Sequence, residues 1–354
     1  MDADPPISDT PIRTQADLAA LLGVTRETVS RAFSGHTGVG DAMRTRIFAT
    51  AAANDYRPNA AARSMVRQRS GQIAVVIRNN RDDRMTHLMA FEAILGINEG
   101  LEEDGYVMSL VRIGDLSEAG GSRAFAESMH DGMIVVGEVP PSIEDRIRQL
   151  SPATVWLEAR TWEPTLCLRR DEFEAGRLCV EAMRGLGYHR LLFIEHLPMW
   201  KTSEPAFGYS EEERAAGVRE GVHRYGGLLE SVPMAYDHPQ TWSLAPQVIA
   251  SLTPDTGVIV TQAYLARWFA SAAASLGKTA PLDFGLCCCD DGDDVTRMWP
   301  DLCRVKFDRF DMGRRAAAMM LRRLAGTDAE ALRSERVPVR WLPGSTATGQ
   351  PVTR

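Results

Sequence analysis

At 354 residues, 44% of them hydrophobic, the chain can bury a full core and is expected to form two or three domains rather than one. No apolar run approaches the ~18–20 residues that span a bilayer. The opening MDADPPISDTP is acidic and proline-rich, the opposite of a signal peptide, so a cytoplasmic protein with a disordered tail over 1–11 is expected. The net charge of −7 hides an asymmetry: residues 11–70 hold nine Arg against four acidic residues, a local +5 that leaves −12 on the rest. A small basic head on a large acidic body suits a chain in which one domain meets a phosphate backbone.

Residues 14–56 read as three short helices. Thr14 with Asp17 forms a capping-box pattern that opens a helix through Leu22, and Gly23 permits a sharp turn. Thr25 caps a second helix to Ser34, with Val24 placed to pack on Val29 as a hydrophobic staple. Val29, Ala32 and Phe33 follow the spacing of a buried stripe, which puts Arg26, Glu27, Ser30 and Arg31 on the other side. Two helices joined by a short Gly-containing turn make a helix-turn-helix, whose second helix can enter the major groove. Arg matches guanine O6 and N7, and Glu accepts from cytosine N4. Taken alone, Glu27 and Arg31 also fit a plain exposed i,i+4 ion pair. A third helix is expected over Asp41–Asn54, and Asn59 can cap one more after Pro58.

From Gln72 the pattern changes to short, continuously apolar strands alternating with helices. The strands are expected at 73–77, 106–111, 132–136, 154–158, 190–195, 257–260 and 284–289, with helices at 89–104, 172–186, 211–225 and 310–325 among them. Such runs point to strands buried on both faces of parallel sheets, and their number suits two sheets better than one.

Catalytic and metal signatures are missing. The chain has no G-x-S-x-G elbow, P-loop, HExxH or G-x-G-x-x-G, its seven His do not cluster at metal spacing, and no CxxC pair occurs. Cys287, Cys288 and Cys289 are consecutive strand residues that face opposite ways, so they read as small apolar core residues. No enzyme, metal or cofactor is expected.

The stretch TQADLAALLGVTRETVSRAFSG with YRPNAAARSM resembles the lactose-repressor (LacI) family of bacterial transcription regulators. The likeness continues through DGMIVV, DEFEAGRLCVEAMRGLGYHRLLFIE, RAAGVREG, CCDD and VKFDRFDMGRRAAAMML, and covers roughly residues 12–345. It implies a multi-domain fold: an all-α helix-turn-helix DNA-binding head over 12–58, a hinge helix and linker over 59–71, and a two-lobed α/β effector-binding and dimerisation domain of periplasmic-binding-protein shape over 72–345. A C-terminal tail follows at 346–354. By position, Arg26, Glu27 and Arg31 would read bases, while Thr14, Thr25, Thr28 and Ser30 would contact phosphate or support the helix. Asn59–Val66 would be the hinge helix in the minor groove, with Ala62 small enough for two such helices to approach and Met65 as the wedge where the family usually has leucine. Gly40 stands where Ser usually caps the third helix.

The implied partners are double-stranded operator DNA, a second copy of the chain in a homodimer, and a small-molecule effector. That effector would be a sugar or related polyol, with a nucleobase second. The effector positions that match are Arg214, Gln262, Asp290 and Glu158, with His87 lining the cleft and Trp162, Trp200 and Trp242 able to stack on a sugar face. Gln262-Ala263 replaces a common Asn-Asp, and Phe307 a common Gln. The rival reading is a cytoplasmic ligand-binding protein of the same shape that binds no operator.

Overall fold

Among the described residues, the first unit, Met1–Gly71, holds three short helices, α1 (Gln15–Leu22), α2 (Arg26–Ser34) and α3 (Asp41–Ala53). The computed structural model describes residues 6–8, 10–34, 38–56, 70–78, 84–113, 130–139, 141–151, 153–196, 209–234, 239–292 and 297–349. The Thr14 hydroxyl accepts the Asp17 N–H at 3.2 Å, and the Asp17 carboxylate accepts the Thr14 N–H at 2.8 Å, so the capping box is closed. Gly23 sits at φ +68°, the left-handed conformation that costs glycine least, and turns the chain into α2. The Thr25 hydroxyl then accepts the Thr28 N–H at 3.2 Å. Leu18, Leu22, Val29, Ala32, Ile47 and Ala51 are buried together, and Val24 packs against the same cluster. Phe33 meets Phe48 and Tyr56 edge-on at 5.2 and 6.2 Å. Gly40 supplies no side-chain cap to α3.

The stretch expected to be a disordered tail is partly held. Asn54, at the end of α3, accepts the Ser8 N–H at 2.7 Å and donates to the Pro6 carbonyl at 2.8 Å. A single amide side chain that both accepts and donates ties an extended segment that has no packing of its own; Ile7 is 77% exposed.

The second unit, Gln72–Arg354, contains two six-stranded sheets. The first is ordered β11 (Glu335–Val337), β5 (Cys167–Arg170), β4 (Thr154–Leu157), β3 (Gly132–Val136), β1 (Gln72–Arg78), β2 (Val107–Ile113), all parallel. The second is ordered β12 (Arg340–Leu342), β10 (Cys303–Lys306), β9 (Gly285–Cys288), β8 (Thr256–Val260), β6 (Arg190–His196), β7 (Leu228–Met234), with only β12 antiparallel. Both lobes therefore repeat one strand order, and both bury β3, β4, β8 and β9 completely.

Helices cover both faces of each sheet, as parallel strands require. In lobe 1, α4 (Arg84–Glu102) and α10 (Arg309–Leu324) pack on one face and α5 (Pro141–Leu150) on the other. In lobe 2, α6 (Glu172–Gly185) and α7 (Tyr209–Tyr225) cover one face, while α8 (Pro239–Ala250) and α9 (Ala263–Ser275) cover the other. Cys287 and Cys289 enter the core under α6, whereas Cys288 enters the core under α9, the alternation that consecutive strand residues impose.

Helices α6 and α7 cross at bare backbone. A Cβ on Gly217 would lie 1.9 Å from the Phe173 carbonyl oxygen, and one on Gly176 would lie 2.2 Å from that of Arg214. That close approach sets the turn of α7 that carries Arg214 beside the start of α6. The chain crosses between lobes three times: from β5 into α6, from β10 into α10, and from β11 to β12. The lobes meet at the carboxyl ends of the strands, through contacts such as Arg170–Asp290 and Tyr209–Glu158, and this is where open α/β sheets bind ligands.

Candidate nucleic-acid interface and effector cleft

On α2 the buried stripe fixes which side is offered to a partner. Val29 and Ala32 are buried, while Arg26, Glu27 and Arg31 are exposed and Thr28 and Ser30 are half-buried. The Arg31 guanidinium donates to the Glu27 carboxylate at 2.5 Å, so the i,i+4 pair is formed on this surface. Thr14 and Thr25 stand at the N-termini of α1 and α2, where exposed N–H groups and the helix dipole favour phosphate.

In the cleft, charge is concentrated around the chain crossings. Asp290, fully buried at the end of β9, receives three guanidiniums on Oδ1: Arg309 at 3.0 Å, Arg170 at 3.1 Å and Arg214 at 3.5 Å. Burial pushes the Asp290 carboxyl up, but Arg214, Arg309 and Arg170 outweigh it and hold it below its ordinary value. Arg214 is also fully buried; it pairs with Glu172 through Nε at 2.7 Å and Nη2 at 2.8 Å, and donates to the Thr261 carbonyl at 2.7 Å. Arg170 completes the cluster with ion pairs to Glu172 at 2.9 Å and to Glu158. Three buried arginines thus face three carboxylates, which is how a site this dry can keep its charges.

Phe307 lies under two of these cations, with the Arg309 and Arg170 guanidiniums 4.2 and 4.3 Å from its ring centroid. Glu158 adopts φ +58°, strained for a residue with a side chain, and so turns its carboxylate back onto the Arg170 N–H at 2.9 Å and the Tyr209 hydroxyl at 3.0 Å. Gln262 is the residue before α9; its Nε2 donates to Glu211 at 2.8 Å. Among the described residues, two buried acceptors, Asp290 Oδ2 and Gln262 Oε1, have no hydrogen-bond partner. They stand at the carboxyl ends of adjacent strands, β9 and β8. Such groups cost free energy until a donor arrives.

Comparison with known proteins fits this geometry. Residues 14–59 match the profile of bacterial regulatory proteins of the lacI family, and residues 180–347 match that of the periplasmic binding protein-like domain. The chain belongs to the LacI family of bacterial regulatory proteins. Among curated relatives, the ribose operon repressor of Bacillus subtilis is 26% identical over 314 residues, covering 87% of this chain and 90% of that protein. The regulator CelR of Thermobifida fusca is 24% identical, covering 89% and 93%. Among solved structures, the lac repressor dimer bound to operator and the anti-inducer ONPF shares the fold with a TM-score of 0.74 at 18% identity, covering 96% of this chain and all of that one. A CelR–cellobiose complex gives 0.62 at 19% identity, covering 94% and 99%. As a LacI-family protein the chain is a DNA-binding transcription regulator and not an enzyme. Among the described residues no helix is long and apolar enough to cross a membrane.

The structure gathers four of the five expected effector residues of this LacI-family protein around one cluster: Glu158, Arg214, Gln262 and Asp290. Arg214 and Asp290 touch each other; Glu158 joins them through Arg170, and Gln262 through Glu211 and the neighbouring Thr261. His87 lies on α4, but its side chain is outside the described residues, as are Trp200, the Trp242 side chain and the hinge positions Asn59, Ala62 and Met65. Trp162 is engaged with protein, lying 5.0 Å from the Arg169 guanidinium and 5.3 Å from that of Arg336. Sequence reading missed Arg170, Glu172, Tyr209 and Arg309. The Arg-Arg pair closing β5 and the Arg directly after Phe307-Asp308 were the available signals: charges at the ends of buried strands need partners.

Proposed function

We propose that the protein is a homodimeric repressor whose α2 surface reads an operator half-site and whose interlobe cleft binds a sugar or related polyol that alters operator affinity. Arg26, Glu27 and Arg31 are the base-reading side chains, with Thr14, Thr25, Thr28 and Ser30 on phosphate or supporting the helix. The hinge residues Asn59, Ala62 and Met65 sit in the minor groove. The repressor acts in the cytoplasm, where its operator lies. A palindromic operator matches a two-fold protein pair.

The observation that carries the effector class is the pair of buried acceptors left without a partner among the described residues, Asp290 Oδ2 and Gln262 Oε1, beside guanidiniums already drawn to Asp290 Oδ1, Glu172 and the Thr261 carbonyl. A ligand suited to this cleft brings hydrogen-bond donors, and hydroxyl groups on neighbouring carbons supply them without charge. The names of the relatives agree: the ribose operon repressor is named for a sugar operon, and CelR was solved with cellobiose. Linkage of effector to operator is typically worth about 1–3 kcal/mol.

The test is selection of genomic fragments by the purified full chain, followed by a gel-shift titration with pentoses, hexoses and disaccharides. The expected result is one or a few preferred palindromic fragments whose binding one sugar class changes about 5–150-fold. Preferred fragments unaffected by any polyol but shifted by nucleobases would reassign the effector. Absence of any preferred fragment would remove the repressor.

A further inference from the structure

The first turn of α7 belongs to lobe 2 by chain and packs on lobe 1 by contact. Tyr209, its first residue, is buried, and its N–H, its hydroxyl and its ring each reach lobe 1. Its N–H donates to the Glu138 carboxylate at 2.5 Å, its hydroxyl donates to Glu158 Oε1 at 3.0 Å, and the Arg169 guanidinium lies 4.4 Å from its ring centroid. Glu138, Glu158 and Arg169 lie at or just beyond the ends of β3, β4 and within β5. Glu211 turns back to Gln262 in lobe 2, but the two acidic residues after it extend the contact with lobe 1. Glu212 pairs with Arg160 at 3.2 Å, and Glu213 meets Arg336 through two hydrogen bonds at 2.7 and 2.9 Å. Trp162 backs Arg169 and Arg336 from the lobe 1 side.

Two parts of this contact differ in strength. The Arg160–Glu212 pair is exposed and screened by solvent. The phenol, by contrast, is removed from water and has both its ring and its hydroxyl engaged, as a buried tyrosine requires. Its hydroxyl occupies an oxygen of Glu158, the carboxylate assigned above to the effector. A polyol hydroxyl offered to Glu158 brings the same chemistry, a neutral O–H donor, to the same acceptor.

We propose that Tyr209 is an internal occupant of the effector cleft: its phenol takes the hydrogen bond on Glu158 that an effector hydroxyl would take, and by doing so latches lobe 2 onto lobe 1. The competition half of this proposal rests on the reading of Glu158 as an effector contact; the latch half does not. An effector that uses Glu158 displaces the phenol and loosens the first turn of α7, which leads directly into the turn that carries Arg214. Effector binding and lobe contact are then exchanged at one carboxylate, and a ligand that prefers the displaced state shifts the population toward it.

The test reads lobe separation in the purified full chain with no added sugar. The six native cysteines are all buried, so cysteines introduced by Asp145→Cys on α5 and Ser275→Cys on α9, both exposed positions in different lobes, take a donor–acceptor dye pair selectively. Mixing with excess unlabelled protein confines the signal to one protomer. The latch predicts a longer mean distance and a broader distribution for Tyr209→Phe than for the parent, and a larger change for Tyr209→Ala. Distributions that coincide for the parent and Tyr209→Phe, with melting curves that show both folded, overturn it even if Tyr209→Ala fails to fold. If the lobes separate as predicted while no sugar alters operator binding, the effector reading of Glu158 fails and the latch stands. If sugars act but the distributions coincide, the latch alone fails.

Discussion

Replacing Asp290 by alanine removes the acceptor shared by Arg170, Arg214 and Arg309. Those three cations then share Glu158 and Glu172, while the next carboxylates, Asp291 and Glu211, are engaged by Arg304 and Gln262, so one buried positive charge is left without a counterpart of its own. Breaking a buried ion pair from one side costs about 3–5 kcal/mol, most of it the penalty of the stranded charge. For a unit of this size about 1 kcal/mol moves the melting temperature by roughly 2–4 °C, so Asp290→Ala should melt on the order of 10 °C lower. Calorimetry of the full chain is the assay, with urea unfolding as a check that the m-value is unchanged. Asp290→Asn, which keeps the shape and one acceptor but not the charge, strands the same cation and should lose most of the same amount. The acid limb gives an independent check. A carboxyl held below its ordinary value contributes stability above about 3.8 that is lost only as pH falls past it. The parent should therefore surrender this contribution only in strong acid, and Asp290→Ala should show a shallower acid limb. A melting temperature within about 2 °C of the parent would refute the view that the cluster is a balanced buried network.

Two further perturbations probe what holds the cleft in place. Gly217→Ala puts a methyl 1.9 Å from the Phe173 carbonyl, which forces α6 and α7 apart; a loss of about 1–3 kcal/mol in thermal or urea unfolding is expected, together with a weakened effector response because Arg214 moves with α7. Unchanged stability would show that the helices have slack at this crossing. Glu138 is the pH-sensitive element. Burial pushes its carboxyl up to about 7, against the opposing Tyr209 N–H and Arg160 and with Glu211 and Glu212 adding to the rise. A raised acid favours the folded state while protonated, so its contribution is complete below about 4.5 and is lost as pH climbs through 7. Glu138→Gln should therefore gain roughly 1–2 kcal/mol on the parent between pH 5 and pH 8, after allowance for solvent screening. Parallel pH profiles for the two proteins would contradict that assignment.

Much of this architecture was legible in the residues because burial leaves a simple trace. The strands buried on both faces, such as β3 and β8, are uninterrupted apolar runs. The helix-turn-helix was equally plain, since Thr14, Gly23 and Thr25 each perform a local task that their own chemistry announces. The strands that escaped notice are those whose sequence is shaped by position in the sheet. Strand β7 lies at an edge and is mostly exposed, and Pro233 interrupts its pattern. Strand β5 is buried yet ends in Arg169 and Arg170, which read as surface until their partners across the cleft are known. The same holds for Arg214. Its helix looks amphipathic and solvated, and only the close crossing with α6 turns that residue inward onto Glu172. Asn54 holding residues 6–8 was invisible because one amide accomplishes it across 46 positions of chain. Pairings between distant charges are set by topology, which local patterns do not encode.

The central claim is that the exposed face of α2 reads duplex DNA, and fluorescence anisotropy against a fragment selected from genomic DNA tests it most directly. The parent should bind that fragment far better than a scrambled one, with affinity falling steeply as salt rises. Arg26→Ala should cost about 1–3 kcal/mol, a loss of roughly 5- to 150-fold, on the selected fragment and much less on the scrambled one. Equal losses on both fragments, or no preference by the parent at any salt concentration, would contradict the account.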